Sequence, residues 1–206
     1  MLFRSGVELR DRGRALGGRM ASRTLRGTGT TCDDRVVDIG ASYFTASDPR
    51  FAEVVADLTA RGVVRAWTDS FHVSTGHGLD GVTVGPVRYA APRGLRSVVQ
   101  ALVVDGVHVR SETSVQAVEA TSSPTVDGES FDAVALCMPS PQARRILDGL
   151  PQQAIVWEPV IAVTCVFDRR SWPDVDGVFV NDDPVLTWIA DDGSRRGDDE
   201  IGRAHV

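Results

Sequence analysis

The sequence lacks the features that mark a membrane, secreted or metal-binding protein. No apolar run approaches the ~20 residues that a membrane-spanning helix requires, and no signal peptide opens the chain. The cysteines Cys32, Cys137 and Cys165 are far apart and lack metal-ligand spacing. We therefore expect a reduced, cytoplasmic protein with no membrane segment and no metal site.

The chain also has too little clustered positive charge to favour a nucleic-acid partner. Its formal net charge is −6 over 206 residues, and its densest basic group is Arg10, Arg12, Arg14 and Arg19. A basic group this small is more typical of a phosphate-facing loop or a solvated surface than of a nucleic-acid-binding patch.

No motif for nucleophilic or general acid–base catalysis is present in the sequence. The chain has no Gly-x-Ser-x-Gly segment, no motif of paired carboxylates and no obvious Cys–His couple. His72 and His77 lie in a glycine-rich stretch, which favours loop residues over metal ligands. We therefore name no catalytic residue from the sequence.

The most informative stretch is Val7 to Arg23. Its first residues alternate as in a β-strand, and the alternation stops at Asp11. A carboxylate at the end of a strand can accept both hydroxyls of a ribose. The glycine pair Gly17-Gly18 allows close approach of the backbone to a ligand, and Arg19 offers forked donors to pyrophosphate oxygens. This order of residues indicates a dinucleotide site.

Three segments resemble FAD-dependent oxidoreductases of the amine oxidase class, within the NAD(P)-binding flavoprotein superfamily, and among them the renalase-like flavoproteins. Asp11 to Arg23 resembles the family pattern of an acid, a basic loop, GGRM and a further arginine. Val37 to Thr45 resembles the family's D-x-G-A-Q-Y-F/I-T segment, with Ser42 in place of the usual glutamine. Asp132 to Gln142 resembles the family's D-A-V-V-L-A-V-P-x-P-Q segment.

The resemblance implies an α/β protein with a partial FAD-binding Rossmann-like domain and a substrate domain built on an antiparallel sheet. Residues 7–62 and 93–150 would form the FAD-binding domain, and residues 63–92 and 151–197 the substrate domain. The first strand and the Gly-x-Gly-x-x-Gly turn that open such a domain do not precede Val7.

Local patterns predict the elements of this fold. Asp48 as N-cap, Pro49 at the first helical position and Gly62 at the far end predict a helix with one apolar face. The glycine-punctuated residues 63–91 predict an antiparallel hairpin, and a second helix follows from about Gly94 to Asp105.

The rest of the chain predicts further strands and a third helix. The apolar run 131–138 has the length of a buried parallel strand. Ser140 is the predicted N-cap of the third helix, with Pro141 at its first position. We also predict strands at the remaining apolar or alternating segments, which are 35–39, 107–110, 114–120, 155–168, 177–182 and 186–190.

Both ends of the chain differ from what this fold would need. Residues 198–206 carry no hydrophobic period, and residues 1–5 and 201–206 resemble translated sequencing-library adapter more than gene. The expected non-native ends are residues 1–6 and 198–206. We therefore expect an internal fragment of a longer flavoprotein that is flanked by non-native ends.

In this family the flavin carries the redox step, and the protein supplies binding and orientation. The resemblance implies hydride transfer from a small molecule, either a dihydronicotinamide related to NAD(P)H or an amine, to FAD that oxygen then reoxidises. The residues expected to bind FAD are Asp11, Arg12, Arg14, Gly17, Gly18, Arg19, Met20, Ser42, Tyr43 and Val115. Val115 would serve the adenine through its backbone, and Ser42 and Tyr43 would lie near the isoalloxazine.

Two alternatives remain open. The same strand and GGRM loop could form a non-catalytic nucleotide-binding module, or this chain could be a fragment that binds nothing by itself. The second alternative draws on the missing glycine turn, because the helix N-terminus behind that turn is the main site for a pyrophosphate. The aromatic residues Trp67 and Tyr89 could line a substrate pocket, although packing in a core is the commoner role.

Overall fold

The computed structural model of the chain describes residues 6–151 and 155–197. It is a mixed α/β structure with small sheets and few helices. The described strands, β1 to β11 in chain order, are Val7–Arg10, Ser22–Thr24, Val36–Asp38, Arg65–Ser74, Gly81–Ala90, Val107–Arg110, Val118–Glu119, Thr125–Val126, Glu129–Ser130, Gly177–Val180 and Trp188–Ala190. The described helices, α1 to α4, are Pro49–Ala60, Arg96–Leu102, Ser140–Ala143 and Asp192–Arg196, and a single 3₁₀ turn covers Gly18–Met20.

The chain divides into two units that are described separately. The first unit comprises residues 1–16 and 105–161, and the second comprises residues 17–104 and 162–206, in each case as far as they are described. The predicted FAD-binding and substrate domains, with their different bounds, stay predictions. The proposed non-native ends lie outside the described residues, except for Gly6.

In the first unit, β1 and β6 form a parallel pair, and β7, β8 and β9 form a small antiparallel sheet. The parallel pairing aligns Val7 with Val107 and Arg10 with Arg110. Parallel strands have their carboxyl ends at the same edge, so the residues that follow β1 and β6 are neighbours. Asp11 is one of these residues.

In the second unit, the largest sheet has the strand order β11-β10-β4-β5. The predicted hairpin is present as the antiparallel pair β4–β5, but β10 joins β4 in parallel. This sheet is therefore mixed, where we expected a purely antiparallel one. A second, two-stranded antiparallel sheet pairs β2 with β3.

Helix α1 forms where its end signals predict it. The Asp48 carboxylate accepts hydrogen bonds from the amides of Arg50 and Phe51, Pro49 is the first helical residue, and Gly62 follows the helix with φ of 69°. On the predicted apolar face, Val55 and Leu58 are buried in the core, whereas Phe51 and Val54 are each 38% exposed. The buried residues packed together around this helix are Val55, Leu58, Val63, Val64, Ala91, Leu95 and Val98.

Several strand predictions are wrong in the described residues. The run 131–138 and the segment 155–168 contain no strand, and within 114–120 only Val118–Glu119 is a strand. A strand needs a neighbouring backbone for its ladder of hydrogen bonds, and no described strand pairs with 131–138 or with 155–168. Apolar and β-branched composition alone therefore did not produce strands here.

Helix α3 also differs from its prediction. It is four residues long, and Pro139, not Ser140, occupies the N-cap position without a side-chain cap. The Ser140 hydroxyl instead accepts a hydrogen bond from Trp157 Nε1 at 2.9 Å.

Among the described residues, every helix is too short or too polar to span a lipid bilayer.

Candidate functional site

Asp11 directly follows the parallel pair β1–β6. Its amide donates a hydrogen bond to the carbonyl of Arg110 at 3.0 Å, and its own carbonyl accepts one from the amide of Thr113 at 2.9 Å. Its carboxylate oxygen Oδ1 accepts a hydrogen bond from the amide of Gly13 at 2.7 Å. The backbone is therefore fixed on both sides of Asp11, at the strand end where nucleotides bind in parallel sheets.

The remaining predicted site residues of the first unit follow strands β1 and β6 in the sequence. Arg12 and Arg14 flank Gly13, and both are exposed. Val115 is half-buried and lies two residues beyond Thr113 in an extended segment outside any strand. Its backbone amide and carbonyl make no hydrogen bond to another described residue, so both groups can serve a ligand.

Arg10, another member of the basic group, binds carboxylates of its own unit. Its Nε lies 2.5 Å from Glu8 Oε1, and its Nη2 donates to Glu129. The hydrogen bond from Arg10, reinforced by Arg110, holds the pKa of Glu8 below its usual range. Because its guanidinium is already paired, Arg10 is a poor phosphate ligand, and the local basic charge is lower than the sequence suggests.

In the second unit, the Gly17–Met20 loop packs against the residues that follow β3. The amide of Ala41 donates to the carbonyl of Arg19 at 2.6 Å, and the amide of Ile39 donates to the carbonyl of Ala21 at 3.0 Å. A Cβ at Gly40 would overlap the Arg19 carbonyl oxygen and lie 2.7 Å from its carbon. Glycine at position 40 is therefore required for this contact.

The two glycines of the loop have different surroundings. Both have positive φ, 134° at Gly17 and 45° at Gly18, which favours glycine. A Cβ on Gly18 would meet nothing within 4 Å, whereas one on Gly17 would lie 3.3 Å from the Cγ and Nε of Arg96. The space beside Gly18 is therefore free of other protein atoms, whereas the Arg96 side chain fills the space beside Gly17.

Arg96 is a site residue that the sequence reasoning missed. Its Nε atom is buried and has no hydrogen-bond partner among the described residues, and its amide donates to the hydroxyl of Ser22 at 3.1 Å. A guanidinium against a glycine loop with one donor unused is suited to an anion. The one sequence signal for it is its position directly after Pro92-Arg93-Gly94-Leu95, where a proline–glycine turn leads into helix α2.

Ser42 and Tyr43 lie next to each other but have different roles. The carbonyl of Ser42 accepts a hydrogen bond from Arg195 Nη1 at 3.1 Å. The ring of Tyr43 belongs to a group of packed aromatic rings, which we call the aromatic cluster. Its members are Tyr43, Trp67, Phe71, Phe179 and Trp188.

Trp67 and Tyr89 have the packing role that sequence reasoning favoured. Trp67 is nearly buried, and its Nε1 donates to the hydroxyl of Ser194 at 2.8 Å. Tyr89 stacks on Phe44 with ring centroids 5.6 Å apart. Trp172 Nε1 donates to Asp191 Oδ2 at 3.0 Å. The indole N–H groups of Trp67 and Trp172 are therefore satisfied without a ligand.

The described residues contain no group of three or more His, Cys, Asp or Glu side chains that could hold a metal ion.

Gly-x-Gly-x-x-Gly spacing does occur at 76–81. It lies in the turn between the antiparallel strands β4 and β5, whereas the dinucleotide motif joins a strand to a helix. This copy is therefore a hairpin turn.

No family model matches the chain. The contacts within each unit are therefore the basis for any functional conclusion. Asp11, Arg12, Arg14 and Val115 belong to the first unit, and the remaining predicted site residues, Gly17, Gly18, Arg19, Met20, Ser42 and Tyr43, belong to the second.

Proposed function

We propose that this chain belongs to an FAD-dependent oxidoreductase that takes a hydride from a small molecule. The observation that carries the proposal is the contact between the Gly17–Met20 loop and Gly40-Ala41. These two segments carry most of the resemblance to renalase-like flavoproteins, and they are 20 or more positions apart in sequence. Their contact supports a shared role beside one cofactor.

Three features, each within one unit, support the choice of FAD. The open space at Gly18 leaves room for a ligand against the backbone. Asp11 uses only Oδ1 to hold its loop, so Oδ2 can accept the ribose hydroxyls. Arg96 keeps an unused buried donor beside Gly17, and that donor can bind a pyrophosphate oxygen.

Each residue then has a defined task in the proposed enzyme. The flavin supplies the redox chemistry, hydride acceptance from a dihydronicotinamide or an amine with reoxidation by oxygen to hydrogen peroxide. Asp11 orients the ribose, the Val115 backbone binds the adenine, and Arg12, Arg14 and Arg19 neutralise phosphate charge. Ser42 and Tyr43 border the isoalloxazine in this proposal, with Met20 packed behind the loop.

The experiment compares the 206-residue chain with the product of the complete open reading frame that encodes it. Flavin absorbance of each purified protein measures how much FAD it holds. The product of the complete reading frame is expected to be yellow and to bind one FAD. It should release hydrogen peroxide when a dihydronicotinamide or an amine is added in air.

The same experiment separates the alternatives. A protein that binds FAD but reduces it with neither class of substrate is a nucleotide-binding module. If the product of the complete reading frame stays colourless after incubation with excess FAD, the proposed function is wrong.

A further inference from the structure

Arg88 in β5 is a cation buried against aromatic rings. Its exposed fraction is 6%, and its buried Nη1 atom has no hydrogen-bond partner among the described residues. Its guanidinium carbon lies 4.0 Å from the ring centroid of Phe71 and 5.5 Å from that of Tyr43. Buried guanidinium groups are normally paired with a carboxylate and hydrogen-bonded. Two ring faces offset only part of the cost of burying this charge.

Trp188 supplies a second unused donor at the same rings. Its Nε1 atom is buried and has no acceptor in the described part of the chain. Its ring centroid lies 5.8 Å from that of Phe71 and 6.0 Å from that of Tyr43. Trp67 and Trp172, by contrast, each donate to a side-chain oxygen. Unsatisfied buried donors are rare in folded proteins, and here two of them border the same two rings.

Two glycines shape this place. A Cβ at Gly177 would lie 2.8 Å from the Phe71 ring, and one at Gly85 would lie 3.2 Å from Arg88 Nη2. The absence of a side chain at Gly177 leaves room for the Phe71 ring, and its absence at Gly85 leaves room for the Arg88 guanidinium. Tyr43 and Trp188 are only half-buried, so the aromatic cluster reaches the protein surface at these two rings. A ligand of the two buried donors would therefore enter beside Tyr43 and Trp188.

We propose that Arg88 and Trp188 bind the carboxylate of an aromatic or heteroaromatic small molecule, whose ring packs against Tyr43 and Trp188. A carboxylate is planar and matches two parallel N–H donors at the edge of a guanidinium group. Offset or edge-on contacts with Tyr43 and Trp188 stabilise a planar ring. The inference deepens the proposed function and rests on it for the role of this molecule as substrate. The binding itself requires no flavin.

The test is calorimetric titration of the 206-residue chain at neutral pH with benzoate and with benzamide, its uncharged isostere. The wild-type chain is expected to bind benzoate about tenfold or more tightly than benzamide, because a charged acceptor pairs with Arg88. In Arg88→Met this preference disappears. In Trp188→Phe, which keeps a ring and loses the N–H, benzoate binds more weakly and benzamide is unaffected.

The exposed Arg93 provides a matched control. Arg93→Met removes one cation from the same unit and should leave the preference for benzoate unchanged. Melting temperature is the second readout. Arg88→Met is expected to keep or raise it, because replacing an unpaired buried charge by an apolar side chain of similar length relieves the desolvation cost. Arg88→Lys keeps the positive charge but loses the paired planar donors of the guanidinium, and it should bind benzoate more weakly than wild type.

Two results would overturn the inference. One is a wild-type chain that binds neither compound, or binds both equally. The other is an Arg88→Met variant that melts earlier and still prefers benzoate. If benzoate binds as expected while the product of the complete reading frame holds no FAD, only the proposed function fails. If FAD binds and benzoate does not, only this inference fails.

Discussion

Asp38 and Arg196 form a buried ion pair across 158 positions of sequence, with Arg196 Nη2 lying 2.8 Å from Asp38 Oδ2. Their side chains are 1% and 5% exposed. The other carboxylate oxygen of Asp38 accepts hydrogen bonds from the Ser22 hydroxyl at 2.7 Å and from the Leu95 amide at 2.8 Å. Asp38 therefore holds together strands β2 and β3, helix α4 and the residue before helix α2.

Removing the Asp38 charge should strongly destabilise the second unit. Asp38→Asn removes the buried carboxylate that faces Arg196 and leaves the half-buried Asp192, 3.0 Å from Arg196 Nη2, as its counter-charge. Breaking a buried pair typically costs about 3–5 kcal/mol, and we expect the lower end of that range here. The free energy of unfolding in urea measures this loss. The control is Asp57→Asn, which breaks the exposed 3.0 Å pair with Arg61 and should cost less than about 1 kcal/mol. Equal losses in the two variants would show that the buried pair has no special role.

Substitution at Gly40 tests the contact between the two segments that carry the resemblance. Gly40→Ala places a Cβ on the backbone of Arg19, which cannot move without breaking the hydrogen bond from Ala41. We expect a lower melting temperature and shifted amide resonances from Arg19 to Ala41. Gly81→Ala is the control, because a Cβ there meets nothing within 4 Å. Similar melting temperatures for both variants would contradict the close contact.

Asp127 should show an acid transition below the usual range for aspartate. Hydrogen bonds from the backbone amides of Ala117 and Gln116 hold the pKa of Asp127 below its ordinary value. The lower pKa in the folded state means that these bonds stabilise the loop above the unfolded pKa, about 3.9. This contribution is lost as the pH falls through the folded pKa. The amide proton shifts of Gln116 and Ala117, followed against pH, measure the transition.

Asp127→Asn is the control for that titration. Residue 127 has a φ of 50°, which asparagine tolerates, and the amide oxygen of asparagine does not titrate. The variant should abolish the acid transition at Gln116 and Ala117. A wild-type transition at or above the ordinary aspartate pKa would contradict the hydrogen-bonding account.

Arg96 should contribute to cofactor affinity if the loop binds a pyrophosphate. In the product of the complete reading frame, Arg96→Met removes the unused donor beside Gly17, and we expect FAD to bind about tenfold more weakly. Arg93→Met, an exposed neighbour, should leave the dissociation constant unchanged. Equal affinities of wild type and Arg96→Met would remove Arg96 from the site.

Sequence predicted the elements whose signals are local. The cap at Asp48, the proline at position 49 and the glycine at position 62 set helix α1 without reference to the rest of the chain. Glycine-rich turn residues likewise marked the β4–β5 hairpin. Alternating apolar and polar residues predicted the strand Val7–Arg10, which ends directly before Asp11 as expected.

Features that depend on distant partners were not predictable. The run 131–138 has strand composition but no described strand beside it, and composition does not reveal which backbone will pair. The buried pair of Asp38 and Arg196, and the unpaired charge of Arg88, depend on residues that the fold brings together. Periodicity in sequence carries no information about such contacts.

The most direct test of the central claim is the dissociation constant of ADP, measured by calorimetry on the product of the complete reading frame. If the Asp11 carboxylate binds the ribose of the ADP moiety of FAD, Asp11→Asn should weaken ADP binding by about tenfold or more. The control Asp57→Asn should leave the dissociation constant unchanged. An Asp11→Asn protein that binds ADP as tightly as wild type would contradict the account.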